Sequence, residues 1–143
     1  MIDEDLRITK LRDYLIGEVR KINSSIKELN ANMLSDDTNC YSLDKIPVDT
    51  AVENWIIGVA KRRDVYSFRS RMEYSVDTIT NLANIGFFEK FEKAIKTNND
   101  KGVLPDIDNI ESIECLNCGT MVNANTNTAE FDIQIQITYR ETL

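Results

Sequence analysis

The sequence predicts an α+β fold, an antiparallel sheet of about four strands with two main helices packed on one face. Apolar residues recur at helical spacing through the first 34 residues and again over 79–95. Two other segments, 66–74 and 131–139, alternate apolar and polar residues with a period of two. Turn signals, not crossover helices, separate the later strands, so hairpins connect them. A length of 143 residues points to one domain, or one domain with an extension. It divides into a long N-terminal helix (1–34), a loop and edge strand (35–64) and a strand–helix–hairpin core (65–143).

The first helix is read from Leu11, Leu15, Val19, Ile22, Ile26, Leu29 and Met33, spaced by three or four. Arg12, Asp13, Glu18, Arg20, Lys21, Lys27 and Glu28 lie between them as a solvated face. Asp3 or Asp5 caps the start. Asn23-Ser24-Ser25 is a weak point, but the stripe continues through it in register, which favours one helix over about residues 4–34. A stripe this narrow also fits a short coiled-coil seam. Ser35 to Asn39 is a polar turn, and Cys40 to Ile46 reads as an edge strand ended by Pro47. Val52 to Val59 is a strand or a loop leading into one, and Lys61-Arg62-Arg63-Asp64 is a charged turn.

Tyr66, Phe68, Met72 and Tyr74, with Ser70, then share one strand face, and Val65, Ser67, Arg69, Arg71 and Glu73 share the other. Ser75 or Asp77 opens the second helix. Its buried stripe is Ile79, Leu82, Ala83, Phe87, Phe91, Ala94 and Ile95, and Gly102 stops it just after Thr97 to Asp100. Leu104-Pro105-Asp106 begins a loop. Residues 110–122 form a strand, and Asn123 to Asn127 turn it into the last one. There Phe131, Ile133, Ile135, Ile137 and Tyr139 alternate with Asp132, Gln134, Gln136, Thr138 and Arg140. The apolar face of that strand is expected to lie under Phe87, Phe91 and Leu82.

Composition narrows the functional classes. The 24 acids against 17 bases give a net charge of −7. That disfavours nucleic acid and anionic membranes, whose phosphates need a basic face. There is no histidine, which removes serine triads and histidine-containing zinc sites. Apolar runs are far shorter than the ~20 residues of a bilayer span, and the acidic start MIDEDLRITK has no signal-like apolar region. Cys115-Leu116-Asn117-Cys118 has C-x-x-C spacing. A zinc site needs a second pair and only Cys40 remains, while a redox pair normally sits at a helix N-terminus. All three cysteines are therefore read as reduced thiols. No glycine-rich phosphate loop or nucleophile elbow is present, and Glu28, Asp36, Asp37 and Asp44 are scattered. The expectation is a chain with no catalytic centre, cofactor or metal.

One cluster invites a surface role. Lys61, Arg62 and Arg63 lead into Arg69 and Arg71 on the polar strand face. Such a face is solvated, or it meets acidic groups on its own chain or on a neighbour, or it meets nucleic acid, a reading weakened because Tyr66 and Phe68 point to the opposite face. As a subunit interface it comprises Arg62, Arg63, Arg69 and Arg71, with Trp55 and Ile56 supplying apolar contact. The acidic counterpart is Asp3, Glu4 and Asp5 together with Asp36, Asp37 and Asp44.

The segment 66–139 resembles a group of small tail proteins from phages and prophages of Gram-positive bacteria. The series comprises an aromatic strand (Tyr66, Phe68), Tyr74, the pair Asn81 and Asn84, Phe87-Phe88-Glu89, Leu104-Pro105, and finally Ala129, Phe131 and Ile133. These proteins look like tail terminators, also called tail-completion or minor capsid proteins. The resemblance implies a small α+β sandwich that forms a ring, a hexamer, at the end of the tail tube. It implies tube protein as partner, with sheath or head–tail connector as further neighbours. It also implies assembly in the bacterial cytoplasm into a virion or a tail-like particle such as a contractile bacteriocin. Two other readings stand beside it: a small intracellular adaptor or immunity-like module that binds one protein partner, and a thiol-dependent enzyme built on the C-x-x-C.

Overall fold

The computed structural model describes residues 6–23, 28–31, 34, 39–48, 51–56, 59–73, 78–117, 119–124 and 128–142. In chain order its elements are α1 (Arg7–Ile22), β1 (Glu28–Ala31), β2 (Cys40–Ile46), β3 (Ala51–Ile56), β4 (Val59–Glu73), α2 (Thr78–Lys101), β5 (Ile110–Cys115), β6 (Thr120–Ala124) and β7 (Thr128–Thr142). The fold is α+β, with seven strands in one sheet among the described residues, where the sequence predicted about four.

The centre of the sheet is the antiparallel pair β4–β7, fifteen residues on each side, from Val59↔Thr142 to Glu73↔Thr128. The strand order is β1-β2-β4-β7-β5. β3 lies along the same edge of β4 as β2, and β6 along the same edge of β7 as β5. Among the described residues all pairings are antiparallel except β1 with β2.

Alternation assigns the faces. Tyr66, Phe68 and Met72 of β4 are buried with Phe131, Ile133, Ile135 and Ile137 of β7, Tyr41 and Leu43 of β2, and Ile113 of β5. Leu11, Leu15 and Val19 of α1 and Phe87, Phe88, Phe91 and Ile95 of α2 cover them. The Tyr41 ring stacks on Phe68 with centroids 5.5 Å apart, and Phe68 stacks on Phe91 at 5.2 Å. The expected core of the last strand under Phe87 and Phe91 is present, and the Leu82 side chain lies outside the described residues.

The N-terminal helix is half the predicted length. It ends at Ile22, and Leu29 is buried in β1 rather than on a continuing helix. Asn23 decides this. Its backbone is extended, and its Nδ2 donates to Asn39 Oδ1 at 3.0 Å and Tyr41 Oη at 3.2 Å, tying the chain to the start of β2. Arg20 and Lys21 in the last turn suit the negative end of the helix dipole. Arg12 Nε donates to Leu29 O at 2.7 Å, so this supposedly solvated side chain fastens α1 to β1. Glu18 is likewise buried, 3.1 Å from Lys21 Nζ. Ile26, Met33, Asp3 and Asp5 lie outside the described residues.

Four further expectations are corrected. Cys40–Ile46 is not an edge strand, since β1 and β4 flank it. Residues 61–64 are not a turn but part of β4, where Lys61, Arg62 and Arg63 face Arg140, Tyr139 and Thr138 across the ladder. Residues 110–122 are two strands, broken before Gly119. A side chain there would overlap the Phe88 ring, so only glycine permits this approach. On α2, Ala83 is exposed and Ala94 half-buried, whereas Phe88 is buried against Phe131, with centroids 5.2 Å apart. The α2 terminus is as expected: Gly102 has φ 74°, Val103 N donates to Asn98 O at 2.8 Å and Gly102 N to Asn99 O at 3.3 Å.

Candidate subunit interface and the buried Asp64 cluster

The β4 ladder divides the basic residues. Arg63, Arg69 and Arg71 share the sheet face turned away from the helices, because they alternate with Tyr66, Phe68 and Met72. Arg62 has the opposite parity and lies on the helix side, across from Tyr139. Six residues of strand, about 20 Å, separate Arg63 from Arg69. The four arginines are therefore not one patch.

Much of their charge is met within the chain. Arg69 Nε lies 2.6 Å from Asp44 Oδ2, an ionic contact rather than an aligned hydrogen bond. Its Nη1 is 3.2 Å from Glu130 Oε1. Arg62 Nε is 3.6 Å from Glu141 Oε2, and Arg63 Nη1 donates to Gln136 Oε1 at 3.4 Å. Asp44, expected in the acidic patch of a neighbouring copy, is thus engaged with Arg69 of its own chain. Asp3, Glu4, Asp5, Asp36 and Asp37 lie outside the described residues. Trp55 and Ile56 are in β3, where the backbone is described and the side chains are not.

The residues of the tail-protein series fall mostly in the core. Tyr66, Phe68, Asn84, Phe87, Phe88, Pro105, Ala129 and Phe131 are buried, Leu104 is partly buried and Glu89 is exposed. Asn84 Nδ2 donates to Glu73 O at 2.7 Å, holding α2 to the end of β4. Tyr74 and the side chain of Asn81 are outside the described residues.

The most organised polar cluster was not singled out from sequence. Asp64 is fully buried on the helix side of β4. Arg7 Nε of α1 contacts its Oδ2 at 2.7 Å, and Lys45 Nζ of β2 is 3.8 Å from Oδ1. The Tyr66 and Tyr139 hydroxyls each donate to it at 3.2 Å. The Arg7 guanidinium also lies over the Tyr139 ring, 4.4 Å from its centroid. Four elements thus converge on one carboxylate, which burial would otherwise penalise heavily. Burial, and then the Asp64 charge, raise the Tyr66 and Tyr139 phenols above the ordinary tyrosine range, so both remain proton donors. Parity was the available signal: Asp64 is two residues from Tyr66, so extending the strand through it points it inward.

Cys115 is half-buried. Burial, then Glu92 and Glu114, push its thiol up to about 12, the reverse of the activation a redox or thiolate nucleophile needs. Cys40 is buried, and Cys118 lies outside the described residues. Among the described residues no group of three or more Cys, Asp or Glu side chains is placed to hold a metal ion. No helix among them is long and apolar enough to cross a membrane.

Comparison with protein-family models and with curated proteins gave no match.

Proposed function

We propose that this chain is a structural subunit of a phage tail or tail-like particle, forming a ring that ends the tail tube and joins it to the collar or head. The observation that carries the reading is the ordered series from Tyr66 to Phe131, whose described aromatic members, Tyr66, Phe68, Phe87, Phe88 and Phe131, are buried together in the core between β4, α2 and β7. A resemblance confined to surface residues would owe nothing to the fold, whereas this one follows the packing. The α+β architecture is the class that the resemblance implies. On this reading the chain binds copies of itself, in a hexamer by resemblance, and then the tube protein.

The test is electron microscopy of particles made with and without the gene, with complementation by the full chain. Without it, tails should be of irregular length or fail to join heads, and complementation should restore uniform tails. Normal particles in its absence would overturn the reading in favour of an adaptor that binds a single partner.

A further inference from the structure

We infer that the cleft between the start of α1, the loop 106–109 and the end of β7 is a binding site for a single carboxylate, held by Arg7 and Lys10. The site is built within one subunit and does not depend on the ring reading.

The cleft has a volume of about 840 Å³, and Arg7, Lys10, Asp106, Asp108, Tyr139 and Glu141 are among its lining residues. Its walls are tied to one another. Lys10 Nζ lies 3.5 Å from Asp106 Oδ2, and Arg140 N donates to Asn109 O at 3.0 Å, so the loop is fastened to both α1 and β7. Ile107, in the middle of that loop, is buried in the core.

Arg7 is anchored but only partly used. Its Nε contacts the buried Asp64 Oδ2 at 2.7 Å, and its guanidinium lies over the Tyr139 ring, 4.4 Å from the centroid. Among the described residues it makes no other hydrogen bond or ion pair, and its side chain is 42% exposed. The fork of its two Nη groups is therefore left for a ligand. An ordinary surface arginine loses rotamer freedom when it binds an anion, whereas this one has already lost it on folding. Lys10, one turn further along the same side of α1, supplies a second donor. Its partner Asp106 has a side chain 96% exposed, and a pair of that kind contributes little and yields readily.

The ligand class follows from the fork and from the charges around it. A planar group with two oxygens matches the guanidinium fork. Behind the cleft, Arg7 and Lys45 against Asp64 leave one positive charge in excess. Asp106, Asp108 and Glu141 stand on the walls, and Arg140 is engaged with Glu111. A doubly charged phosphate or a nucleic-acid backbone would meet those acids, while a carboxylate brings one negative charge to one excess positive charge. A small free acid and the C-terminal end of a protein chain both present this group.

The test is titration of the full chain, followed by nitrogen-resolved magnetic resonance of the Arg7 side chain. The probes are propionate, N-acetylglycylglycine, the C-terminal amide of that peptide, and inorganic phosphate. At least one carboxylate should shift the Arg7 signals with a dissociation constant of about 1 mM, and the amide should not. Arg7→Lys should abolish binding. Because that change also disturbs Asp64, Lys10→Gln is the second variant: it should weaken binding several-fold with an unchanged circular dichroism spectrum. A peptide that binds more tightly than propionate assigns the site to a chain end, and equal or weaker binding assigns it to a free acid. Arg7 signals that neither carboxylate moves would overturn the inference. So would an amide that binds as well as the acid, phosphate that binds more tightly than either carboxylate, or an affinity unchanged in Lys10→Gln. The particle experiment judges the ring reading separately from all of these.

Discussion

Ser70 shows how much one polar atom weighs in this core. It points to the helix side of β4, between Tyr41 of β2 and Phe131 of β7, and its buried hydroxyl has no hydrogen-bond partner among the described residues. An unsatisfied buried hydroxyl costs about 1–3 kcal/mol. Ser70→Ala should therefore stabilise the protein by about 1 kcal/mol, read as a higher urea midpoint with an unchanged slope. A loss of stability would mean that the hydroxyl is satisfied. The buried phenols make a second prediction. Tyr41 is raised to about 12 by burial, and Tyr66 is raised by burial and by Asp64. Both hold their protons more tightly folded than unfolded. That contribution to stability is complete below the ordinary tyrosine value of about 10. It is lost as pH rises from there through about 12, the folded value of Tyr41. In an alkaline titration, the phenolate absorbance of these two residues should appear together with the loss of far-ultraviolet circular dichroism. Ionisation of all five tyrosines near 10 with the fold intact would refute it.

At the scale of elements, the β7–α2 contact carries the core. Ile135 is fully buried opposite Tyr66, and Ile135→Ala should cost about 2–5 kcal/mol in denaturant melts. A cost near zero would place Ile135 outside the core. This contact was legible in sequence because β7 alternates for nine residues and α2 has a helical stripe ended by Gly102. The parts that were not legible have specific causes. Leu29 is apolar at a spacing that serves a helix or a strand equally, and the Asn23 contacts that choose between them come from Asn39 and Tyr41, sixteen and eighteen positions away. Lys61 to Asp64 look like a turn because charge masks the strand period. Partners distant in sequence, among them Glu141, Gln136, Tyr139, Lys45 and Arg7, make that stretch comfortable in a sheet. Gly119 reads as an ordinary glycine until Phe88 is seen against it.

For the whole molecule, the polar sheet face acts as a network that closes on itself. Arg69 joins β2 to β7 by contacting Asp44 and Glu130, and Ser67 Oγ donates to Asp132 alongside. Arg69→Glu would set three carboxylates together on half-buried positions and should cost about 1–3 kcal/mol of monomer stability. Thermal melts of the isolated chain check this, and an unchanged melting temperature would mean that the contacts contribute nothing. Reversal of Arg69 is consequently a poor probe of assembly. The long β4–β7 ladder also governs when the molecule can come into being. Its partners are about 55 residues apart at Glu73↔Thr128 and about 83 apart at Val59↔Thr142. Loops of that length must close before the ladder gains anything, which slows folding. During synthesis β4 emerges long before β7, and β2 and β3 have only a half-built sheet to join. A nascent chain stalled before Thr128 therefore exposes a fifteen-residue strand with one edge unpaired, and the sheet can be completed only after β7 has left the ribosome.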